Sequence, residues 1–266
     1  MSRIADSFAE LSRSQRKGLI TFITAGDPDL DATPGFMHAL VRGGADIIEL
    51  GVPFSDPMAD GETIQRASER ALAAGASLGL VLDCVANFRA QDKTTPVVLM
   101  GYLNPIERMG SKTFAQAAHK AGVDGLLVVD APPEEALELN REVTRMGLDQ
   151  IFLVAPNSSE SRIARVCELA SGFVYFVAVK GVTGGKAAAV GDVQQLIETT
   201  RAMADLPVGI GFGIRTPEAA ARAAAIADAI IVGSALVELI ESNAGSETGA
   251  SAIETFTASL REAIDA

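Results

Sequence analysis

Hydrophobic residues in this chain are concentrated in short runs rich in β-branched side chains, and these runs alternate with segments of helical periodicity. Eight such runs occur, at residues 19–24, 46–51, 96–101, 124–130, 150–155, 173–179, 207–211 and 228–233. Runs that are continuously apolar are typical of a parallel sheet covered by helices on both faces. The pattern therefore predicts an α/β protein folded as a (β/α)8 TIM barrel, with a doubly wound open sheet as the alternative.

Helical segments in excess of a simple barrel are predicted at three places. Ile4, Phe8 and Leu11 recur at helical spacing and indicate an N-terminal helix over one end of the core. Two helical stretches instead of one, at 62–74 and 77–91, follow the second strand. Behind the eighth strand, a helix and a loop-like segment are followed by a last helix.

The connections between these elements carry further local predictions. A loop is expected at residues 102–105, after the third strand. A helix is expected to start at Pro132 and Pro133, after the fourth strand, because proline is favoured in the first helical turn. No change in composition marks a linker, so residues 1–266 are predicted to form one barrel domain.

One carboxylate, Glu49, lies inside the second apolar run. On the strand period of two, Ile47, Glu49 and Gly51 share one face, whereas Ile48 and Leu50 share the other. Glu49 has aliphatic neighbours and no adjacent basic residue, so its pKa is expected to be raised, which suits acid–base catalysis. An ion pair inside the barrel mouth is the alternative.

The loop at residues 52–61 directly follows the strand of Glu49 and is acidic. A buried acid at the C-terminal end of a strand, followed by an acidic loop, is the layout of a catalytic site on a parallel sheet. Asp60 is the candidate in this loop, although loop acids are usually solvated. Tyr175, in the sixth strand, is either a packed core side chain or a site residue.

Glycine-bearing segments follow the last three strands, at residues 181–185, 211–213 and 233–234. In barrels, a phosphate group often lies among the loops after the seventh and eighth strands, at the N-terminus of a helix. Glycine lets the backbone approach the phosphate oxygens, and Ser234 offers both a hydroxyl and an N–H group. A turn or a C-cap is the usual role of one such glycine, but three in adjacent units favour a phosphate site.

Composition narrows the class of protein. The net charge of −12 and the pI of about 4.7 argue against nucleic acid or an anionic membrane as a partner. No apolar run reaches the roughly 20 residues of a membrane span, and the N-terminus is too polar for a signal peptide. Cys84 and Cys167 lie in apolar helical patterns and are expected to be reduced thiols of a cytoplasmic protein.

Signatures of other chemistries are missing from the sequence. No His/Cys/Asp metal cluster, no Ser-His-Asp signature and no strand-end lysine placed for a Schiff base is apparent. The expected chemistry is therefore acid–base catalysis without a cofactor, on a substrate that carries a phosphate.

Five motifs carry a family resemblance: FITAGDP at 22–28, ELGVPFSDPMADG at 49–61, GVTG at 181–184, GFGI at 211–214 and VGSA at 232–235. They resemble the tryptophan synthase α subunit family, over essentially the whole chain, and the second motif is highly specific. The resemblance implies a (β/α)8 barrel that cleaves indole-3-glycerol phosphate by a retro-aldol reaction into indole and glyceraldehyde 3-phosphate. It also implies a β subunit as the partner in an α2β2 heterotetramer, with pyridoxal phosphate held only by that partner.

The same resemblance implies roles for individual residues. Glu49 would be the general acid/base, Asp60 would accept a hydrogen bond from the indole N–H, and Tyr175 would line the site near Glu49. Residues that would sandwich the indole are Phe22, Met100, Leu127 and Leu153. Residues that would hold the phosphate are Thr183, Gly184, Phe212, Gly213, Gly233 and Ser234.

Several positions depart from the family pattern. Glu62 stands where the family usually has proline, Lys180 and Lys186 bracket the phosphate loop, and Arg215 stands where a serine is usual. Three alternatives to an α subunit remain at this point. They are a stand-alone lyase that releases free indole, a catalytically weak regulatory partner of a β subunit, and another phosphosugar isomerase on the same barrel.

Overall fold

Eight parallel strands close into a barrel in chain order, with β1 paired to both β2 and β8. The computed structural model describes residues 2–177, 190–211, 213–244, 246 and 248–266. The strands are β1 (Gly18–Thr24), β2 (Ile47–Gly51), β3 (Val97–Gly101), β4 (Gly125–Val128), β5 (Asp149–Val154), β6 (Val174–Val177), β7 (Val208–Gly211) and β8 (Ala229–Val232). The predicted closed barrel is confirmed, and the open doubly wound sheet is wrong.

Helices surround the barrel and exceed one per strand at the three places expected and at a fourth, after β3. Within the described residues they are α1 (Arg3–Arg13), α2 (Ala32–Arg42), α3 (Glu62–Ala73), α4 (Leu78–Arg89), α5 (Leu103–Met109), α6 (Ser111–Ala121), α7 (Leu137–Arg145), α8 (Glu160–Leu169), α9 (Val190–Ala204), α10 (Pro217–Ala224), α11 (Ser234–Ser242) and α12 (Gly249–Asp265). The expected extra elements are α1 before the barrel, the pair α3 and α4 after β2, and the pair α11 and α12 after β8. The pair α5 and α6 after β3 was not predicted.

Two local predictions are wrong. The segment after β3 is the helix α5 and not a loop; Pro105 is its third residue, where the missing N–H group would have no intrahelical acceptor anyway. Helix α7 begins at Leu137 and not at Pro132. Pro133 disfavours helical dihedrals at Pro132, whose carbonyl instead accepts bonds from the N–H groups of Glu135 and Ala136 in a single turn.

The strand period of two divides the core into an inner and an outer layer. Ile47 lies in the barrel interior with residues of the other strands, whereas Ile48 and Leu50 pack outward against the helices. Helix α1 covers the N-terminal end of the barrel, where the rings of Phe8 and Phe173 lie 5.9 Å apart. The opposite end, where the strands terminate, is left for the loops that follow them.

No single helix within the described residues is long and apolar enough to cross a membrane. Only α3 and α4 taken together pass such a test of length and composition, and they are bent by 95° relative to each other.

Candidate active site

A cavity of about 1190 Å³ opens at the C-terminal ends of the strands. The predicted site residues that line it come from five strands, from the loops after β2, β7 and β8, and from the start of α11: Phe22, Glu49, Asp60, Met100, Leu153, Tyr175, Gly213, Gly233 and Ser234. The closed barrel brings them together because the carboxyl ends of parallel strands meet at one end.

One described site residue that was predicted, Leu127, is not among those lining the cavity. Leu127 is fully buried in the inner layer, where it is paired with Met100 and Ile151 of the neighbouring strands. Thr183, Gly184 and Phe212 lie outside the described residues, as do Lys180 and Lys186.

Glu49 is almost completely buried at the floor of this cavity. It lies in β2 between Phe22 of β1 and Val98 of β3, and only 1% of the residue is exposed. Its Oε1 atom has no hydrogen-bond partner in the described part of the chain. Burial, and then the negative charge of Asp60, raise the pKa of Glu49 to about 8. Glu49 therefore carries a proton at neutral pH.

Asp60 is held by a tyrosine that sequence analysis did not identify. Tyr102 donates from its hydroxyl to Asp60 Oδ2 at 3.0 Å, and the same hydroxyl accepts from the Ala59 N–H at 3.0 Å. Burial raises the pKa of Asp60, and the hydrogen bond from Tyr102 opposes this rise. The position of Tyr102, directly after Gly101 at the end of β3, was a signal for a site residue.

Tyr175 is both packed and part of the site, so its two possible roles are compatible. Its ring lies over Gly211 so closely that a Cβ atom on Gly211 would approach the tyrosine hydroxyl oxygen to 2.2 Å. Burial, and then the negative charges of Glu49 and Asp60, raise the pKa of Tyr175 well above 10. Tyr175 therefore stays protonated and can act only as a neutral hydrogen-bonding group.

Apolar side chains form the wall around the two carboxyl groups. The Phe22 ring packs against Gly51, where a Cβ atom would come within 2.6 Å of the ring, and it also lies against Gly233. Ile64 and Ile231 belong to the same wall and were not predicted. Ile231 is in the eighth strand on the inward face, so the period of two could have identified it.

The end of the cavity that is predicted to bind phosphate is formed by the loops after β7 and β8. Gly213 has a φ of +79°, a conformation that L side chains rarely adopt, and Gly233 is the N-cap residue of α11. The first N–H groups of a helix lack intrahelical acceptors and bind anions readily. Two arginines also line the cavity: Arg162, paired with Glu134 at 3.1 Å, and Arg215, paired with Glu238.

No group of three or more His, Cys, Asp or Glu side chains suited to a metal ion occurs among the residues that the structure describes. The chemistry available from those residues is therefore proton transfer by Glu49, beside a second carboxylate and an apolar wall. An aromatic group with an attached phosphate would match the two ends of the cavity.

The family model of the tryptophan synthase alpha chain matches residues 8–265. The chain belongs to this family. It is 56% identical over 265 residues to the tryptophan synthase alpha chain of Burkholderia thailandensis, covering 100% of this chain and 97% of that one. It is 55% identical to that of Ralstonia nicotianae, with both chains fully covered.

The barrel is shared with solved members of the tryptophan synthase alpha chain family. The crystal structure of tryptophan synthase subunit alpha from Legionella pneumophila str. Paris matches with a TM-score of 0.91 and 43% sequence identity, covering 100% of this chain and 99% of that one. The family, fold and lyase function predicted from the five motifs are confirmed. An alpha chain implies a beta subunit as its partner, and pyridoxal phosphate belongs to the beta chain of the family.

Proposed function

We propose that this alpha chain cleaves indole-3-glycerol phosphate to indole and glyceraldehyde 3-phosphate with Glu49 as both the proton donor and the proton acceptor. The observation that supports this role is a buried carboxyl group with one unpartnered oxygen and a pKa of about 8 at the floor of the cavity. A catalytic acid works best when its pKa is near the pH at which the enzyme operates.

One carboxyl group, that of Glu49, can carry out both proton transfers of the reaction. Protonated Glu49 first gives its proton to C3 of the indole ring, which leaves positive charge on the ring. The Glu49 carboxylate then takes the proton of the glycerol hydroxyl on the carbon attached to C3. That oxygen becomes the aldehyde oxygen as the carbon–carbon bond breaks, and the bonding electrons return to the ring. Indole becomes aromatic again, and Glu49 ends protonated as it began.

Asp60 offsets the positive charge that develops on the indole ring. Its carboxylate would accept a hydrogen bond from the ring N–H, and the interaction strengthens as the ring becomes cationic. A group that acts in this way must be ionised, and the Tyr102 hydrogen bond favours the ionised form of Asp60. In the proposed reaction, Glu49 begins protonated and Asp60 is ionised in the same cavity.

Binding would use the two ends of the cavity. Phe22, Met100 and Leu153 would enclose the indole, with Leu127 beside Met100 on the neighbouring strand. The backbone at Gly213 and the start of α11 would hold the phosphate, together with Ser234. Thr183, Gly184 and Phe212 would complete this binding site.

The partner would be a tryptophan synthase beta subunit, in an α2β2 complex in the cytoplasm, and pyridoxal phosphate would be held only there. Met58 supports a protein contact near the site, since 87% of this apolar residue is exposed in the loop that carries Asp60.

The test is release of indole from indole-3-glycerol phosphate by the purified chain, with and without the beta subunit of the same source. We expect slow cleavage by the chain alone and faster cleavage with the partner. Fast cleavage that does not respond to the partner would instead indicate a stand-alone lyase. No cleavage under either condition would exclude the proposed reaction.

A further inference from the structure

The carboxylate of Glu238 connects two parts of the site that are far apart in sequence. Glu238 lies in α11, one turn after Ser234. Arg215, in the loop behind β7, donates to Glu238 Oε2, and the hydroxyl of Thr63 donates to Glu238 Oε1 at 3.0 Å. Both Arg215 and Thr63 line the cavity. One carboxylate thus bonds the loop behind β7 and the first turn of α3.

Thr63 is closely tied to Asp60. It is three residues further along the chain, and Gln65 in the same helical turn donates from Nε2 to the Asp60 carbonyl oxygen at 2.8 Å. A displacement of the first turn of α3 therefore also displaces the backbone of Asp60. Through Thr63, Glu238 constrains the position of this catalytic carboxyl group.

The contacts of Glu238 with Arg215 and Thr63 are not needed for the folding stability of the barrel. The side chains of Arg215 and Glu238 are 51% and 35% exposed, and ion pairs this exposed contribute little to folding. One turn further along α11, Glu241 already joins the helices through Arg66 at 3.0 Å and Arg70 at 2.7 Å. The attachment of α3 to α11 is therefore secured without Glu238.

We propose that Glu238 is a positioning residue that couples occupation of the phosphate end of the cavity to the placement of Asp60 at the indole end. A phosphate group bound at Gly213 attracts the Arg215 guanidinium, which has donors left over from its bond to Glu238. The shift of Arg215 is passed to Thr63 by the carboxylate they share. This inference rests on the proposed function, because it needs an indole end and a phosphate end.

Coupling between two sites is reciprocal, so it can be measured with the two halves of the substrate. The probes are indole and glycerol 3-phosphate, titrated calorimetrically into the full chain. In the wild type, saturating glycerol 3-phosphate should lower the Kd of indole by about fivefold. In Glu238→Gln and in Thr63→Val, the ratio of the indole Kd without glycerol 3-phosphate to the Kd with it should fall to about one. The double variant should lose no more than either single variant, because both changes break the same link.

Glu241→Gln is the matched control, since it weakens the same helix pair without contacting Arg215. In this variant, glycerol 3-phosphate should lower the Kd of indole by the same factor as in the wild type. The inference is overturned if the wild type shows no coupling, if Glu238→Gln and Thr63→Val keep it, or if Glu241→Gln loses it equally. Cleavage of indole-3-glycerol phosphate by the same wild-type sample separates these outcomes from failure of the proposed function.

Discussion

Two buried carboxyl groups at opposite ends of the barrel, Asp124 and Glu49, have opposite surroundings. At the N-terminal end, Asp124 just before β4 accepts from Arg89 at 2.6 Å and from Arg3 at 2.7 Å, and it also caps the Val97 N–H. At the C-terminal end, Glu49 has an oxygen without a partner in the described part of the chain. Both residues are at most 5% exposed. The difference lies in their partners and not in their burial.

The paired carboxyl groups at the N-terminal end connect elements of the fold, whereas Glu49 at the C-terminal end is suited to proton transfer. At the N-terminal end, arginines also pair with Asp46 before β2 and Asp228 before β8. These pairs connect α-helices and strands that are distant in sequence. At Glu49, desolvation without a cationic partner among the described residues raises the pKa, which is useful for proton transfer and unfavourable for folding.

The largest effect is expected from Glu49→Gln. The amide has nearly the same shape but cannot transfer a proton, so kcat should fall by about 10²–10⁴-fold. The measurement is indole release, with circular dichroism to confirm the fold. A well-folded Glu49→Gln protein that keeps most of its activity would contradict the proposed role of this residue.

Glu49 should also make stability depend on pH. Its pKa is raised from 4.5 in the unfolded chain to about 8 in the folded one. Below the lower value the group is protonated in both states; between the two values only the folded state keeps the proton, so stability falls as pH rises. The loss between pH 5 and pH 8 should be on the order of a few kcal/mol.

The measurement is urea unfolding across this pH range. Glu49→Gln should be more stable than the wild type at pH 8 and should lack this part of the pH dependence. Equal slopes in the two proteins would show that Glu49 titrates normally in the folded state.

At the paired end, Arg89→Met should be destabilising. It leaves Asp124 buried with one cation fewer and frees the carbonyl groups of Thr95 and Gly122, to which Arg89 now donates. Removing one member of a buried pair costs about 3 kcal/mol or more. The matched control is Arg13→Met, whose pair with Glu10 is 72% and 66% exposed and should cost less than about 1 kcal/mol. Similar losses in the two variants would remove the contrast between buried and exposed pairs.

The smallest effect is expected from Tyr102→Phe. It removes the hydrogen bond to Asp60, which should raise the pKa of Asp60 further and lower kcat/KM by about tenfold. The pH profile of kcat/KM distinguishes this from a packing defect, because the limb that reports Asp60 should move to higher pH. A tenfold loss with an unmoved profile would assign Tyr102 a purely structural role.

Local sequence patterns were sufficient to predict the strands, the family and the central carboxyl group, Glu49. The eight apolar runs each predict a strand from their own residues, and the period of two places Glu49 on the same strand face as Ile47 and Gly51. The second motif lies in a single segment of the chain. For such features, sequence alone carries the information because the residues that decide them are adjacent.

Only the tertiary structure decided what surrounds these residues. The bond between Tyr102 and Asp60 joins positions 42 residues apart, and the bond between Thr63 and Glu238 joins positions 175 apart. Leu127 was assigned to the indole wall by the family resemblance, whereas the structure shows it fully buried, paired with Met100 of the neighbouring strand and not among the residues that line the cavity. Depth and pairing depend on the stagger between strands and on closure of the barrel, which no single segment of the chain encodes.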